Sequence, residues 1–424
     1  MKIFTRPMIL MLIAGLLLAA CAPQAAAPAP DEITLNIWGF EGEVEFFPEF
    51  IRRFEADNPG IRVQLTEIPE GEYVTKIDTA MLAGEGPDIA FIYVPRWLRA
   101  GHFLALDAAI EEYQIPFDDF NRGAITRDCL FEGKIYCFGS YTGAILMLYN
   151  KDIFDAAGVA YPSSTVPWSM QEYFDATLAV TTHSENIEER VWGGDAVPHT
   201  WWMDWRTHIS NDGRTIDGYV NDEATIAAYQ IMADMRTAGS AMSTADAALM
   251  GLESQDLFAQ GKLATALIDN IIGIPAAELA GINWGAAIVP TERKGDPAWT
   301  TTWTDSFGVL STSRNQEAAI KFLVYLATKG NELRLEMGYM PLNMRLAEQW
   351  VGDSEARRQA YEAIAHAREN LFVPGYWEAT ELVWDAWTLM VDEGVSAREA
   401  LNEVAPIMQE TLDLTWETFE TVER

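Results

Sequence analysis

Cysteine is scarce, with three in 424 residues. That excludes a scaffold built on disulfides. Histidine is nearly as rare. His102, His183, His199, His208 and His366 form neither a His-x-x-x-His nor a His-Glu-x-x-His pair. The helical zinc signatures are therefore missing, and neither a metal nor a cofactor is expected. Positive charge is in deficit: 29 Lys plus Arg face 63 Asp plus Glu, a formal charge of −34. So acidic a chain is repelled by nucleic acid and by anionic headgroups. Gly261-Lys262 lacks the Ser/Thr and the earlier Gly of a phosphate loop, and no Gly-x-Ser-x-Gly elbow occurs. Beyond residue 21 no apolar run is long enough to cross a bilayer.

What is present is length and apolar content. With 49% hydrophobic residues the chain is too apolar for disorder, and its length suggests two or three domains. It opens on an address. Lys2 and Arg6 precede an apolar run from Met8 to Leu18, then Leu18-Ala19-Ala20-Cys21. The run is short for a membrane span and fits an export signal. Small residues before a Cys resemble a bacterial lipobox, which implies cleavage ahead of Cys21 and its lipidation. The alternative is plain secretion with an incidental Cys. Residues 22–30 are nearly all Ala and Pro, the composition of an extended tether. An exported location permits a disulfide. A hairpin turning at Gly133 would set Phe131 against Ile135 and Cys129 opposite Cys137. Two buried thiols are the alternative.

Ile33, Leu35 and Ile37 alternate as in a strand; Phe46, Phe47, Phe50, Ile51 and Phe54 recur at helical spacing; Ile61, Val63 and Leu65 alternate again. Val74, Ile77 and Met81 suggest a second helix, stopped at Gly84-Glu85-Gly86-Pro87, before the short apolar run Ile89–Ile92. The order βαβαβ points to a parallel, helix-covered sheet. Ala144–Tyr149, Ala264–Ile268 and Ala286–Val289 read as strands of a second block. Phe307–Leu310 resumes the first block, so the second is inserted. Two lobes that exchange chain more than once leave a hinge with a cleft beside it.

Several segments resemble the extracellular solute-binding proteins of carbohydrate ABC transporters, in the maltose-binding-protein-like group, family 1. They are Phe54-Glu-Ala-Asp-Asn-Pro-Gly-Ile-Arg-Val63, Gly84-Glu-Gly-Pro-Asp88, Gly133-Lys-Ile-Tyr136, Leu148-Tyr-Asn-Lys-Asp-Ile-Phe154, Phe258-Ala-Gln-Gly-Lys262, Ile288-Val-Pro-Thr291 and Phe307-Gly-Val-Leu310, in family order. The resemblance implies a three-segment hinge, closure over one ligand and delivery to a membrane permease. In some relatives a carboxylate stands two residues beyond the equivalent of Tyr141; here Gly143 does.

A sugar offers C–H faces to aromatic rings and a rim of hydroxyls to polar groups. Chain position selects the candidates. Trp38 and Glu41 follow the first strand, and Tyr93 and Trp97 follow the third. Tyr141 lies in the first crossing. Trp201 and Trp202 open a helix of the second lobe, Asp269 and Asn270 follow the strand after Gly261-Lys262, Trp303 and Asp305 flank the second crossing, and Trp377 precedes the last helices. Against each stands the plain alternative that a tryptophan in so large a protein packs in the core.

The expectation is an α/β chain with a two-lobed, type II periplasmic-binding-protein-like fold, each lobe a mainly parallel sheet flanked by helices. Residues 1–20 form the signal peptide and 21–31 the tether. Lobe 1 takes 32–140 plus 307–345, and lobe 2 takes 141–306 plus 346–424. The expected molecule is a monomeric, non-enzymatic binding protein, lipid-anchored outside the cytoplasmic membrane, with a carbohydrate ligand and ABC permease subunits as partners. A polyamine or osmolyte ligand, or a secreted glycoside hydrolase or lyase, are the competing readings.

Overall fold

The computed structural model describes residues 32–42, 46–196, 208–210, 212–366 and 373–421. Cys21, Trp201 and Trp202 lie outside the described residues. In lobe 1, β1 (Ile33–Phe40) buries Leu35 and Ile37 completely, as the alternation requires. The following helix, Phe47–Asp57, starts with a Pro in its first turn and buries Phe47, Phe50 and Phe54, a stripe at three- and four-residue spacing. β2 (Ile61–Ile68) and β3 (Ile89–Phe91) flank β1, both parallel to it. Asp88, the acid of the Gly-x-Gly-Pro-Asp turn, braces this sheet. It accepts from the Asn36 N–H at 2.8 Å and from the Ser313 hydroxyl at 2.6 Å.

The hairpin differs in register from the expectation. β4 (Leu130–Phe131) and β5 (Lys134–Ile135) pair Leu130 with Ile135 and Phe131 with Lys134. The turn is the two-residue Glu132-Gly133, both at positive φ (46° and 76°). Such a turn matches strand twist and shifts the pairing by one residue. Cys129 and Cys137 are offset in the ladder and still disulfide-bonded, with Cα atoms 4.9 Å apart.

Lobe 2 is built on β6 (Gly143–Asn150), eight residues buried on both faces. β7 (Thr265–Asp269), β8 (Trp284–Ala287) and the short β9 (Thr302–Trp303) all pair with it. All three are antiparallel to it. The expected parallel sheet is thus corrected here. A continuous apolar run marks a doubly covered strand but carries no information on direction. β10 (Phe307–Val309) returns to lobe 1 and closes its sheet against β3, giving the order β10-β3-β1-β2.

One apolar core gathers residues between Leu35 and Phe138 with others between Phe307 and Leu342. Two more gather residues from 141 to 303 with others from 340 to 412. The chain passes between cores near 138–142, 303–307 and 340–343. The passages are bonded side by side. Phe138 and Phe307 exchange backbone hydrogen bonds at 3.1 and 3.2 Å, Thr142 N–H donates to the Met340 carbonyl, and Leu342 N–H donates to the Ser140 carbonyl.

Candidate functional site

The crossings are locked by one buried polar network. Asp305, fully buried, accepts from the Ser140 N–H at 2.5 Å, the Ser140 hydroxyl at 2.6 Å and the Thr304 hydroxyl at 3.0 Å. Arg334 lies 3.6 Å from its carboxylate and donates to the Ser140 hydroxyl at 3.0 Å. The same guanidinium sits over the rings of Phe46 (3.8 Å) and Tyr141 (4.8 Å), so it bridges the lobe 1 core and one of the lobe 2 cores. Asn331 completes the network, donating to the Gly139 carbonyl and accepting from the Asn343 N–H at 2.8 Å. A buried charge needs this many partners to be held in place. Asp305, fully buried, and Tyr141, 2% exposed, are thus packed within the crossings and do not line the cavity described below.

Two other candidates are consumed by structure. Asn270, 3% exposed, accepts from the Ala144 N–H at 2.6 Å and donates to the Thr142 carbonyl at 3.0 Å, so its amide pins the start of β6. Trp97 is 1% exposed in the lobe 1 core, its indole N–H donating to Asp78 at 2.7 Å. Both are corrections to a reading from chain position, which cannot see what a neighbouring strand demands. Asp269 caps the helix Asn270–Ala280 through the Ile271 N–H at 2.8 Å; burial pushes its carboxyl up to about 7. Trp303, 7% exposed on β9, has its ring against Gly143. A Cβ at 143 would stand 2.4 Å from that ring. The indole fills the space that a side chain at 143 would need, which is why this position carries none.

An open cavity of about 240 Å³ lies where the lobes face one another. Lobe 1 supplies Tyr93–Arg96, just past β3. The other wall is Val373–Gly375, Glu378 and the face Leu414, Thr415, Thr418 and Phe419 of the helix Ala397–Thr421. Gly375 (φ +77°) allows the close approach of this wall to the helix: a Cβ there would meet Thr415 at 2.6 Å. Asp78 holds the lobe 1 wall. It accepts from Arg96 at 2.6 Å and from Trp97, so Trp97 positions the wall without lining it. Tyr93 donates to Glu70 at 2.9 Å; burial, with Glu70, Glu381 and Glu378 nearby, pushes its phenol upward, so it stays a neutral donor.

Among the expected site residues whose side chains are described, Tyr93 alone lines this cavity. Trp38 is half-buried on β1 against the lobe 1 core, Glu41 is exposed just past it, and Trp377 sits on the helix Tyr376–Thr380. The residues missed are Arg96, Glu378 and the last-helix face. The last residues read mostly as helix in the sequence, but the partner of that helix is not written there. Among the described residues, no cluster of His, Cys, Asp or Glu could hold a metal ion.

Two α/β lobes, exchanging chain three times around a cavity walled by both, define the architecture of a two-lobed binding protein. The chain belongs to the bacterial extracellular solute-binding protein family, whose sequence profile matches residues 41–332. It is 26% identical over 391 residues to a binding protein of Brucella abortus, covering 88% of this chain and 91% of that one. Over 160 residues, 36% of each chain, it is 26% identical to the arabinooligosaccharide-binding protein of Bacillus subtilis. In fold it resembles an ABC substrate-binding protein from Listeria monocytogenes in complex with cycloalternan, at TM-score 0.75 and 20% identity, covering 90% of this chain and all of that one. Its fold is the type II periplasmic-binding-protein fold.

Proposed function

We propose that the protein captures a sugar or oligosaccharide between its lobes and delivers it to an ABC transporter permease from a lipid anchor on Cys21. The lobes are 32–140 plus 307–345 and 141–306 plus 346–424, and ligand contacts from both favour the closed arrangement. The observation that carries the reading is the cavity walled on one side by Tyr93–Arg96 and on the other by Gly375, Glu378 and Phe419. Rings suit sugar faces, and a neutral phenol, a guanidinium and carboxylates suit hydroxyl rims. No catalysis is needed: binding and release suffice.

The test is a titration of the purified protein with a panel of maltose-, arabinose- and galactose-based oligosaccharides, a polyamine and a quaternary-amine osmolyte, read by tryptophan fluorescence and thermal shift. A saturable response to a sugar, with the sugar recovered unchanged, supports the proposal. A response confined to the polyamine or osmolyte moves the ligand class. Cleavage of an oligosaccharide by the pure protein would make it an enzyme. For the anchor, Cys21→Ser should release the protein from the membrane fraction of the expressing cells.

A further inference from the structure

The cavity wall is charged, and its charges do not balance. Two guanidiniums stand on the lobe 1 side, both from the helix Pro95–Arg99. Arg96, which lines the cavity, lies 2.6 Å from Asp78. Arg99 lies 3.6 Å from Glu132 of the hairpin turn and 4.9 Å from the centre of the Phe419 ring. Each cation is thus matched by a carboxylate of its own lobe. Three carboxylates are left over. Glu378 is exposed on the opposite wall, and Glu381, also exposed, follows it by one helical turn. Glu70, the first residue of the helix Glu70–Ala83, accepts from the Tyr93 hydroxyl at 2.9 Å. That bond comes from a neutral phenol and leaves the charge uncancelled. Burial first, then Glu70, Glu381 and Glu378, push the Tyr93 phenol upward, so all three acids act on one point of the wall. Among the described residues none of the three forms an ion pair. The two rings lining the cavity, Tyr93 and Phe419, carry negative faces, and Phe419 already holds the Arg99 cation.

We propose that the solute taken by this cavity is an amine-bearing sugar, its ammonium turned toward Glu378, Glu381 and Glu70. The inference rests on the proposed capture of a sugar and adds the charge of that sugar. The acids do not make the site. The cavity and its rings do, and the acids choose among the sugars that fit. An ammonium brings three donors and a carboxylate accepts several hydrogen bonds, so the pairing is also one of donors with acceptors. The pull of an exposed carboxylate on a cation is modest, and so is that of a ring. Acting on one group, they suffice for about a tenfold preference over the uncharged sugar. A uronate or a phosphorylated sugar meets the same unmatched acids and is repelled.

The test is calorimetric titration of the full mature protein at about pH 6, where carboxylates are ionised and a primary amine keeps its proton. The probes are glucosamine, galactosamine, mannosamine and the glucosamine disaccharide, each beside its N-acetyl form and its parent sugar, with spermidine as the sugar-free amine. At least one amino sugar should bind about tenfold tighter than both of its uncharged counterparts at low salt. Sodium chloride at about 1 M, which cuts the screening length to about 3 Å, should remove most of that preference. Glu378→Gln combined with Glu381→Gln should reduce it to about threefold or less. Both positions are exposed, and the salt series on the wild type is decisive without the variant. Uncharged sugars that bind as tightly as their amines overturn the inference and leave sugar capture standing. A preference that survives either the salt or the double substitution overturns it too, since shape and not charge would then be its source. A protein that answers spermidine alone, or none of the probes, overturns the inference and the proposed function together.

Discussion

At the scale of single residues, the buried carboxylate of Asp305 has the most to lose. Its partners come from the first two passages between the lobes and from Arg334, and removing it leaves the Arg334 charge buried among rings. Asp305→Ala should destabilise the protein by about 3–5 kcal/mol, seen as an early chemical unfolding midpoint. Trp303 and Tyr93 separate packing from binding. Trp303→Ala empties a packed site beside Gly143 and should cost about 3–5 kcal/mol in stability. Tyr93→Ala, at the cavity wall, should leave the melting temperature within a few degrees. It should weaken solute binding about tenfold, measured by titration calorimetry. Equal affinity in Tyr93→Ala would remove that ring from the site.

At the scale of elements, the hairpin β4–β5 is the piece whose integrity can be switched chemically. A disulfide that closes a loop of about nine residues contributes on the order of 2–3 kcal/mol by chain entropy. Cys129→Ser with Cys137→Ser should lower the melting temperature by several degrees while the far-ultraviolet dichroism stays native. An unchanged melting curve would mean the hairpin is held by its packing alone. The elements also show what a sequence can and cannot reveal. β1, β2 and the Phe47–Asp57 helix were legible because one face is buried and one is not, so Leu35, Ile37, Phe47, Phe50 and Phe54 write their period into the chain. β6 was legible as a strand but not in direction, since both its faces are apolar. The hairpin's register turned on Glu132 adopting positive φ beside Gly133, which glycine alone did not disclose. Tyr93, which lines the cavity, could be nominated because it follows a strand end. Phe419 and Arg96 were not, because the cavity arises where a late helix meets an early loop, and no local pattern records that meeting.

At the scale of the whole molecule, acidity enters. Burial holds the carboxyls of Asp128 and Asp195 up at about 6, and Asp269 at about 7. Between about pH 4 and pH 7 the folded protein keeps protons that the unfolded chain has already released, so these groups make stability fall as pH rises through that window. Asp195 accepts from the Leu267 N–H on one oxygen and from the Ser254 hydroxyl on the other; an amide keeps the first with its carbonyl oxygen and replaces the second by donating its NH2 to the Ser254 oxygen. Asp195→Asn should therefore melt higher than wild type at pH 8, and the gain should vanish near pH 4. A gain of equal size at both would show that charge is not its source. The interleaving of the two lobes has a further consequence during biogenesis. The first sheet lacks its edge strand β10, and its core lacks Phe322 and Leu326, until some three-quarters of the polypeptide has been made. Contacts so distant along the chain form slowly. A nascent molecule of this design therefore stays loose at its leading end, and its first lobe can collapse only after the insertion has been spelled out.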